Sequence, residues 1–213
     1  MSFSIFNPRL LVVSLGNPAP LHETFHSAGH IVLRALQPLV EAQPRFTSDR
    51  FGKKTTDISL GDKYMLVTSP CSMNTTGPWL AQAWKQALQD NHDQRQLGLV
   101  LLQDELELEL GDVRTRTWDS SHKGHNGIRS SQASLKPSAY PENSKWWTRL
   151  RVGIGRPAQR DRASVSNYVL GGMSAYQKSL LREKSASGAL RCLEELEAQW
   201  RQQWEKDSRA SER

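Results

Sequence analysis

The sequence predicts an α/β fold in which a single domain holds a mixed, mostly parallel twisted sheet flanked by helices. Two observations lead to this prediction. Short apolar runs typical of buried strands alternate along the chain with apolar residues at helical spacing. The 213 residues contain no internal repeat, and this length suits one continuous core. We assign residues 1–206 to this domain and residues 207–213 to a frayed C-terminal tail.

The first half of the chain predicts three strands and two helices. Residues 10–14 form a short apolar run that ends at a Gly-Asn-Pro turn, and apolar runs at 64–68 and 97–102 predict two further strands. Apolar side chains three and four residues apart predict a helix over residues 31–40. A second helix begins near Gly77, where tryptophan and alanine follow at the same spacing. Strand and helix therefore alternate, as parallel strands require.

The second half adds strands at 113–117, 150–154 and 165–170, with a helix at 126–135. The chain ends in a helix whose apolar residues recur at helical spacing, which is typical of a packing face: Leu193, Leu196, Trp200 and Trp204. In such folds, binding sites collect at the carboxyl ends of the strands.

Composition excludes several classes of protein. Two cysteines cannot form a cystine-rich scaffold and favour a reducing compartment. The longest apolar runs fall far short of the ~20 residues of a membrane-spanning helix, and residues 1–9 do not have the pattern of a signal peptide. We therefore expect a cytoplasmic or mitochondrial protein that is neither secreted nor in a membrane. Neither a P-loop nor a dinucleotide-binding glycine motif is present.

Positive charge is concentrated in one quarter of the chain. The net charge is +6, yet residues 114–162 alone contain eleven Lys and Arg against three acidic residues. Trp118, Trp146 and Trp147 lie among these cations and could offer stacking faces. Cations that neutralise phosphates, together with aromatic rings that stack on bases, are typical of a nucleic-acid surface, although an ordinary solvated face would also explain the charge.

One short motif suggests a metal site. His22-Glu23-Thr24-Phe25-His26 matches the His-Glu-x-x-His signature of zinc proteases, in which both histidines share one face of a helix. Pro18 and Pro20 lie just upstream and would leave the first histidine at the very start of such a helix or on the preceding turn. The context therefore argues against zinc.

Six short blocks, taken in order and spacing, resemble the bacterial-type peptidyl-tRNA hydrolases. The resemblance runs from about residue 10 to residue 171. Its blocks are Leu15-Gly16-Asn17-Pro18, Thr24-Phe25-His26-Ser27-Ala28-Gly29, Met73-Asn74-Thr75-Thr76-Gly77, Asp104-Glu105-Leu106-Glu107-Leu108, Gly124-His125-Asn126-Gly127 and Arg149-Leu150-Arg151-Val152-Gly153-Ile154-Gly155.

The resemblance implies a monomeric α/β esterase that hydrolyses the bond between a peptide and the 3′-terminal adenosine of tRNA, with no cofactor, no metal and no membrane partner. Several positions depart from the family pattern. Ala19 replaces a glycine, one residue is missing before His26, Phe25 and Ser27 replace the Arg and Asn that commonly flank that histidine, and residues 120–123 replace a glycine-rich run. The long stretch 137–147 and the charged C-terminal helix resemble eukaryotic, fungal or organellar elaborations.

The resemblance also implies the catalytic residues. His26 is the general base, since a histidine pKa suits proton transfer near neutral pH. Asp104, which follows the strand at 97–102, would orient the imidazole and stabilise the imidazolium. Asn17, Asn74 and Asn126 offer neutral amides for the oxyanion, the peptide backbone and the terminal ribose or water. The sequence lacks a Gly-x-Ser-x-Gly elbow, which favours direct attack by water.

Substrate-binding residues follow from the same match. Met73 is expected beside the peptide or the terminal base, and His125 as an accessory polar residue. Five cations are expected to contact tRNA phosphate: Arg114, Arg116, Lys123, Arg160 and Arg162, the last two preceding the predicted strand at 165–170. Either Arg149 or Arg151 is expected to face the core or an internal carboxylate instead.

Taken singly, each of these residues has an ordinary structural explanation. Asp104 could cap a turn, Asn17 could be a turn residue and His26 a satisfied core histidine. Two rival functions also remain: a non-catalytic RNA-binding relative of the same fold, of the type used in organellar splicing, and a zinc protease built on His22 and His26.

Overall fold

Seven strands form one sheet in the computed structural model, which describes residues 6–210. Residues 1–5 and 211–213, which include most of the segment considered for a signal peptide and the end of the predicted tail, lie outside the described residues. The strands are β1 (Arg9–Ser14), β2 (Thr47–Phe51), β3 (Lys54–Leu60), β4 (Tyr64–Thr68), β5 (Leu97–Glu105), β6 (Val113–Thr117) and β7 (Trp147–Gly153).

The described part of the chain also contains six α-helices. They are α1 (Ala28–Leu36), α2 (Thr76–Asp90), α3 (Asn126–Ser134), α4 (Arg162–Val169), α5 (Ala175–Leu180) and α6 (Ala186–Ala210). A single π-helical turn, Leu181–Ser185, joins α5 to α6.

The strand order across the sheet is β2-β3-β4-β1-β5-β7-β6. The central strands β4, β1, β5 and β7 are parallel, whereas β3 and β6 run the opposite way. The predicted α/β class with a mixed, mostly parallel sheet is therefore confirmed. Since β1, β4 and β5 point in one direction, the loops that follow them meet at the same edge of the sheet.

Both faces of the sheet are covered by helices. Alternate residues of β1 enter different core clusters, with Leu10 and Val12 packing on the side of α1 and α6. Leu11 and Val13 pack on the side of α2 and α3. These two apolar layers explain why the central strands are read in the sequence as continuous apolar runs.

The final helix is longer than the sequence suggests. It continues to Ala210, so residues 207–210 of the predicted tail are helical, and Asp207 accepts a hydrogen bond from Lys145 at 2.8 Å. Within the described residues, no helix has the length and apolar character needed to cross a bilayer.

The structure differs from the sequence-based predictions at three points. Residues 165–170 do not form a strand: α4 begins after Asp161, whose side chain caps its first turn, and it ends at Val169. The hairpin of β2 and β3 was not predicted, because most of β2 is exposed and carries no apolar alternation. Its turn is Gly52-Lys53, with both φ angles positive.

The tryptophans of the basic segment are the third correction. Trp118, Trp146 and Trp147 are all buried. Trp147 contacts Trp118 with ring centroids 5.0 Å apart, and Trp146 packs against Trp200 of α6 at 5.7 Å. These rings stabilise the core and offer no face to bases.

Candidate active site

The loops that follow β1 and β4, the end of β5 and the start of α3 bring the predicted catalytic block together. Asn17 follows β1, Met73 and Asn74 lie in a 3₁₀ turn after β4, and Asp104 is the next-to-last residue of β5. His125 precedes α3, which packs against the turn that contains Met73. Four segments distant in sequence thus meet at the carboxyl edge of the sheet.

Two histidines share one carboxylate oxygen at the centre of this site. Nδ1 of His26 lies 2.8 Å from Oδ1 of Asp104, and Nε2 of His125 lies 2.9 Å from the same oxygen. The two imidazole rings are 4.9 Å apart. Because an ionised carboxylate can only accept, both ring nitrogens donate to Asp104.

The second nitrogen of each ring has a different environment. The backbone N–H of Ile128 donates to Nδ1 of His125 at 3.3 Å, so His125 is held as the neutral tautomer with its proton on Nε2. Nε2 of His26 has no hydrogen-bond partner among residues 6–210, and the His26 side chain keeps 13% of its surface exposed. His26 is therefore the ring that can exchange a proton with a molecule in the site.

The electrostatics of the cluster favour a charged Asp104. Burial alone would raise the pKa of this carboxyl group, but the charge of His26 and the hydrogen bonds that both histidines donate hold it well below its usual range. For His26, burial opposes the imidazolium form, yet the charge and hydrogen bond of Asp104 outweigh it and raise the pKa above 6.5.

Asn17 is fixed by its neighbours on both sides. Its Oδ1 accepts from the backbone N–H of Met73 at 3.1 Å, and its backbone N–H donates to Oγ of Ser27 at 2.9 Å. With Oδ1 occupied, its NH₂ group is left to donate. The side-chain amides of Asn74 and Asn126 make no hydrogen bond to any residue in 6–210; the first is exposed and the second half-buried.

Sequence reasoning missed two features that position His26. A Cβ on Gly29 would lie 2.8 Å from the carbonyl oxygen of Leu15 and 2.9 Å from that of Leu102, so only glycine lets α1 approach β1 and β5 this closely. Ser27, read only as a departure from the family pattern, is fully buried and ties the turn to Asn17 and to the carbonyl oxygen of Leu21. The Ala-Gly pair that follows Ser27 was the feature of the sequence that could have indicated this close packing.

The direct contact between His125 and Asp104 was also missed. The residues are 21 positions apart, and nothing in their spacing indicates that they touch. The sequence placed His125 near the substrate only as an accessory group.

Four arginines lie on one face of the antiparallel pair β6 and β7. Arg114 is opposite Arg151 and Arg116 opposite Arg149, and residues two apart on a strand share a face. Glu105 contacts Arg151 at 3.3 Å and Arg116 at 4.0 Å. Glu105 thus pairs with two of the four arginines on this face.

Arg149 and Arg151 both face inward, whereas the sequence reasoning expected only one of them to do so. Arg149 is buried and donates to the carbonyl oxygens of Thr117 and Ser120 at 3.2 and 2.7 Å. Burial, followed by the charges of Arg116 and Arg151, lowers its pKa to about 10, so it stays charged at neutral pH. The expectation failed because it placed residues two apart on opposite faces.

The remaining predicted cations are exposed. Lys123 lies in a tight turn that closes with a 2.8 Å hydrogen bond from the N–H of His125 to the carbonyl oxygen of His122. Lys123 and Gly124 both have positive φ in this turn. Arg160 and Arg162 flank the residue that caps α4, and Arg114 is exposed at the sheet edge.

The residues of the zinc-protease motif do not form the single helix face that a zinc site of this type needs. His22 and His26 lie in separate 3₁₀ turns, with extended backbone at Thr24 between them. In residues 6–210, the three side chains whose ligand atoms could hold a metal are His26, Asp104 and His125, all within 4.8 Å. Both ring N–H groups donate to Asp104, so a metal would have to displace two protons there.

The chain is similar to peptidyl-tRNA hydrolases over most of its length. The family described as peptidyl-tRNA hydrolase matches residues 11–211. A peptidyl-tRNA hydrolase of Citrifermentans bemidjiense is 34% identical over 165 residues, which cover 75% of this chain and 77% of that protein. A probable peptidyl-tRNA hydrolase of Schizosaccharomyces pombe is 30% identical, with 80% and 75% covered. The crystal structure of peptidyl-tRNA hydrolase from Acinetobacter baumannii has the same fold, with a TM-score of 0.60, 22% identity and coverage of 92% and 97%.

Proposed function

The chain belongs to the peptidyl-tRNA hydrolase family, and we propose that it splits the ester between a peptide and the 3′-terminal adenosine of tRNA with His26 as general base. One observation carries the assignment of roles: the 2.8 Å hydrogen bond from Nδ1 of His26 to Asp104, which leaves Nε2 without a partner among the described residues. This reaction would recycle tRNA from aborted translation.

Water is the nucleophile in this mechanism. Nε2 of His26 takes a proton from water as the oxygen attacks the ester carbonyl, and the imidazolium that forms is stabilised by the adjacent Asp104 carboxylate. The same proton then passes to the ribose oxygen as it leaves. His125 holds the carboxylate in place through a second hydrogen bond to Oδ1.

The neutral amides suit the rest of the ester. The NH₂ group of Asn17 is left to donate because its oxygen already accepts from Met73, and amide donors stabilise the negative oxygen that develops in the transition state. Asn74 and Asn126 follow Met73 and His125 directly in the chain, and their amides are available to hold the peptide backbone and the ribose or water. Met73 packs beside the substrate.

Binding of tRNA is assigned to the cationic residues of the 114–162 segment. Arg114, Arg116, Lys123, Arg160 and Arg162 are expected to contact phosphate, since all elongator tRNAs share the acceptor end and recognition through backbone and shape would accept each of them. Arg116 is accompanied by the inward-facing Arg149 and Arg151 on the same face.

The test is release of an N-acylated amino acid from charged tRNA by purified protein. We expect His26→Ala to lower kcat by on the order of 10²–10⁴ while tRNA affinity and folding stay close to those of the wild type, because only the base is removed. Asp104→Asn should act in the same direction, since it favours the wrong tautomer.

His22→Ala is the matched control for this experiment. It removes an exposed histidine four residues away, outside the cluster, and should leave kcat unchanged. Substantial turnover by His26→Ala would remove His26 from its role. Binding of tRNA by the wild type without any release of product would instead support the non-catalytic RNA-binding alternative.

A further inference from the structure

The imidazole ring of His30 packs against the loop that follows β1, and the chemistry described above does not use it. His30 is the third residue of α1. A Cβ on Gly16 would lie 2.3 Å from both Cδ2 and Nε2 of this ring, far closer than non-bonded atoms approach each other. The ring therefore occupies the space beside Gly16, the residue just before Asn17.

Ser14 anchors this ring to the sheet. Its hydroxyl lies 2.7 Å from Nδ1 of His30 and makes no other hydrogen bond within residues 6–210. Ser14 is fully buried at the end of β1, where it pairs with Thr68 of β4 and Leu102 of β5. A ring that turned away from this strand would leave a buried hydroxyl without a partner, which is unfavourable.

Gly16 is the least constrained residue of this loop. The backbone N–H of Leu15 is bonded to β5, and that of Asn17 donates to Oγ of Ser27 at 2.9 Å. Between them, Gly16 makes no hydrogen bond to any residue in the described part of the chain. Since glycine has more conformational freedom than any other residue, packing against the His30 ring limits the backbone at this point.

One short segment carries both the general base and this ring. His26 and His30 are four residues apart, and Gly29 between them lets α1 approach β1 and β5 closely. His26 contacts Asp104 of β5, whereas His30 contacts Ser14 of β1. The start of α1 is thus fixed to two neighbouring strands, and it sets the position of the base relative to the loop after β1.

The low basicity of His30 separates its task from that of His26. Burial, followed by the charge of Arg34, lowers the pKa of His30 to about 4, so the ring is neutral at physiological pH. A neutral ring can pack against a buried backbone without the desolvation cost of an imidazolium. Such a weak base is also poorly suited to take a proton from water.

We propose that His30 is a positioning residue for ester hydrolysis. Its ring fixes Gly16 and thereby the donating NH₂ group of Asn17, the next residue. This inference rests on the proposed function, in which that amide stabilises the oxyanion. Donors must be in place before the reaction begins, and a misplacement of about 1 Å can cost on the order of 10² in rate. Loss of the ring should therefore slow the chemical step and leave tRNA binding unchanged.

The experiment measures kcat and KM for release of an N-acetylated amino acid from charged tRNA by the full chain. We expect His30→Ala to lower kcat by about tenfold to hundredfold, with KM within about twofold of the wild type. Val32→Ala is the matched control, because it removes buried apolar atoms from the same helix and leaves the ring of His30 in place. It should lower the free energy of unfolding while kcat stays unchanged.

A second variant separates the packing of the ring from a general loss of structure. Replacing His30 by Phe together with Ser14→Ala keeps a planar ring beside Gly16 and removes the hydroxyl that would lose its partner. His30 borders a cavity of about 630 Å³, so a larger ring has room at its outer edge. We expect this double variant to recover most of the kcat lost by His30→Ala. A double variant as stable as the wild type and still as slow as His30→Ala would contradict the inference.

The route through Asn17 is tested by a double-mutant cycle. Asn17→Ala should lower kcat, and adding His30→Ala should then cause little further loss, because the group that the ring positions is already absent. Losses that multiply would overturn the inference, since the ring would then act elsewhere. A wild-type kcat for His30→Ala, or an equal loss in Val32→Ala, would overturn it as well. A wild type that released no product would refute the proposed function, and this inference with it.

Discussion

The most informative arrangement at the residue scale is the sharing of one Asp104 oxygen by two imidazoles. His125 is fixed as a neutral donor by the backbone N–H of Ile128, whereas His26 has one nitrogen without a partner in the described chain. The two rings therefore have separate tasks, although both contact the same carboxylate. One keeps Asp104 oriented and charged, and the other is available to exchange a proton.

The raised pKa of His26 predicts the pH dependence of hydrolysis. A general base must be neutral, so kcat/KM should rise with pH and level off above the pKa of His26 in the free enzyme. Asp104 raises this pKa, so we expect the midpoint above 6.5. Asp104→Asn removes the cause of the increase while burial continues to favour the neutral ring, so the midpoint of its residual activity should move to lower pH.

The control for the pH profile is His22→Ala, which should reproduce the wild-type midpoint because this exposed ring lies outside the cluster. A midpoint unchanged by Asp104→Asn would mean that some group other than His26 limits the rate.

A second prediction at this scale concerns metal. Since both ring N–H groups of the cluster donate to Asp104, we expect incubation with a strong chelator to leave hydrolysis intact. Elemental analysis of the purified protein should find no stoichiometric zinc. One equivalent of zinc that disappears in His22→Ala would revive the protease hypothesis.

At the scale of elements, the antiparallel pair β6 and β7 concentrates positive charge. Pairing places Arg114, Arg116, Arg149 and Arg151 on one face, where Glu105 balances part of their charge. The tight turn at Lys123 and Gly124 adds an exposed cation just before His125. Of the charge noted in the sequence, Arg114 and Lys123 are therefore exposed, whereas Arg149 is buried.

This surface predicts the effect of removing two of its cations. The double variant Lys123→Ala, Arg116→Ala should raise KM for tRNA substrates more than it lowers kcat, because cations bound to phosphate hold the substrate and take no part in the chemistry. The slope of log affinity against log salt should become shallower by roughly one unit for each phosphate that is no longer neutralised.

A double variant with the same change in charge provides the control. Arg45 and Lys85 are exposed and lie outside the 114–162 segment, so their replacement by alanine should leave the salt slope nearly as in the wild type. Equal effects of the two double variants would mean that the basic segment is only a solvated face and does not bind tRNA.

At the scale of the whole molecule, the C-terminal helix α6 is held against the sheet by a small number of side-chain contacts. Trp200 of this helix packs against Trp146, and the hydroxyl of Tyr64 in β4 donates to Glu197. Lys63 pairs with the other oxygen of Glu197 at 2.7 Å. Burial, together with the Glu197 hydrogen bond and charge, raises the pKa of Tyr64, which therefore stays protonated as a donor.

Glu197→Ala should accordingly lower the free energy of unfolding by about 1–3 kcal/mol, since it leaves the buried Tyr64 hydroxyl without its acceptor. Chemical denaturation monitored by tryptophan fluorescence would measure the difference. Glu194→Ala, an exposed change in the same helix, should stay within about 0.5 kcal/mol of the wild type. Equal stability of Glu197→Ala and the wild type would mean that this network does not hold α6 in place.

The α/β class and the central strands could be predicted from the amino-acid sequence, and the resemblance to a family supplied the residues proposed for the site. Buried strands such as β1 and β5 could be found because their apolar runs are local and continuous. The site blocks could be found because backbone turns and polar groups recur in a fixed order. Both signals depend on residues that are neighbours in the sequence, so no knowledge of long-range pairing was needed.

Which distant residues meet became visible only in the folded chain. Residues 165–170 are apolar enough to suggest a strand, but the cap at Asp161 and the stacking of Tyr168 on Phe25, with ring centroids 4.6 Å apart, favour a helix. The sheet order placed the arginines of β6 and β7 to one side of the site, and the packing of α3 brought His125 to Asp104. Strand order and register depend on interactions between residues far apart in the chain, and local patterns do not encode them.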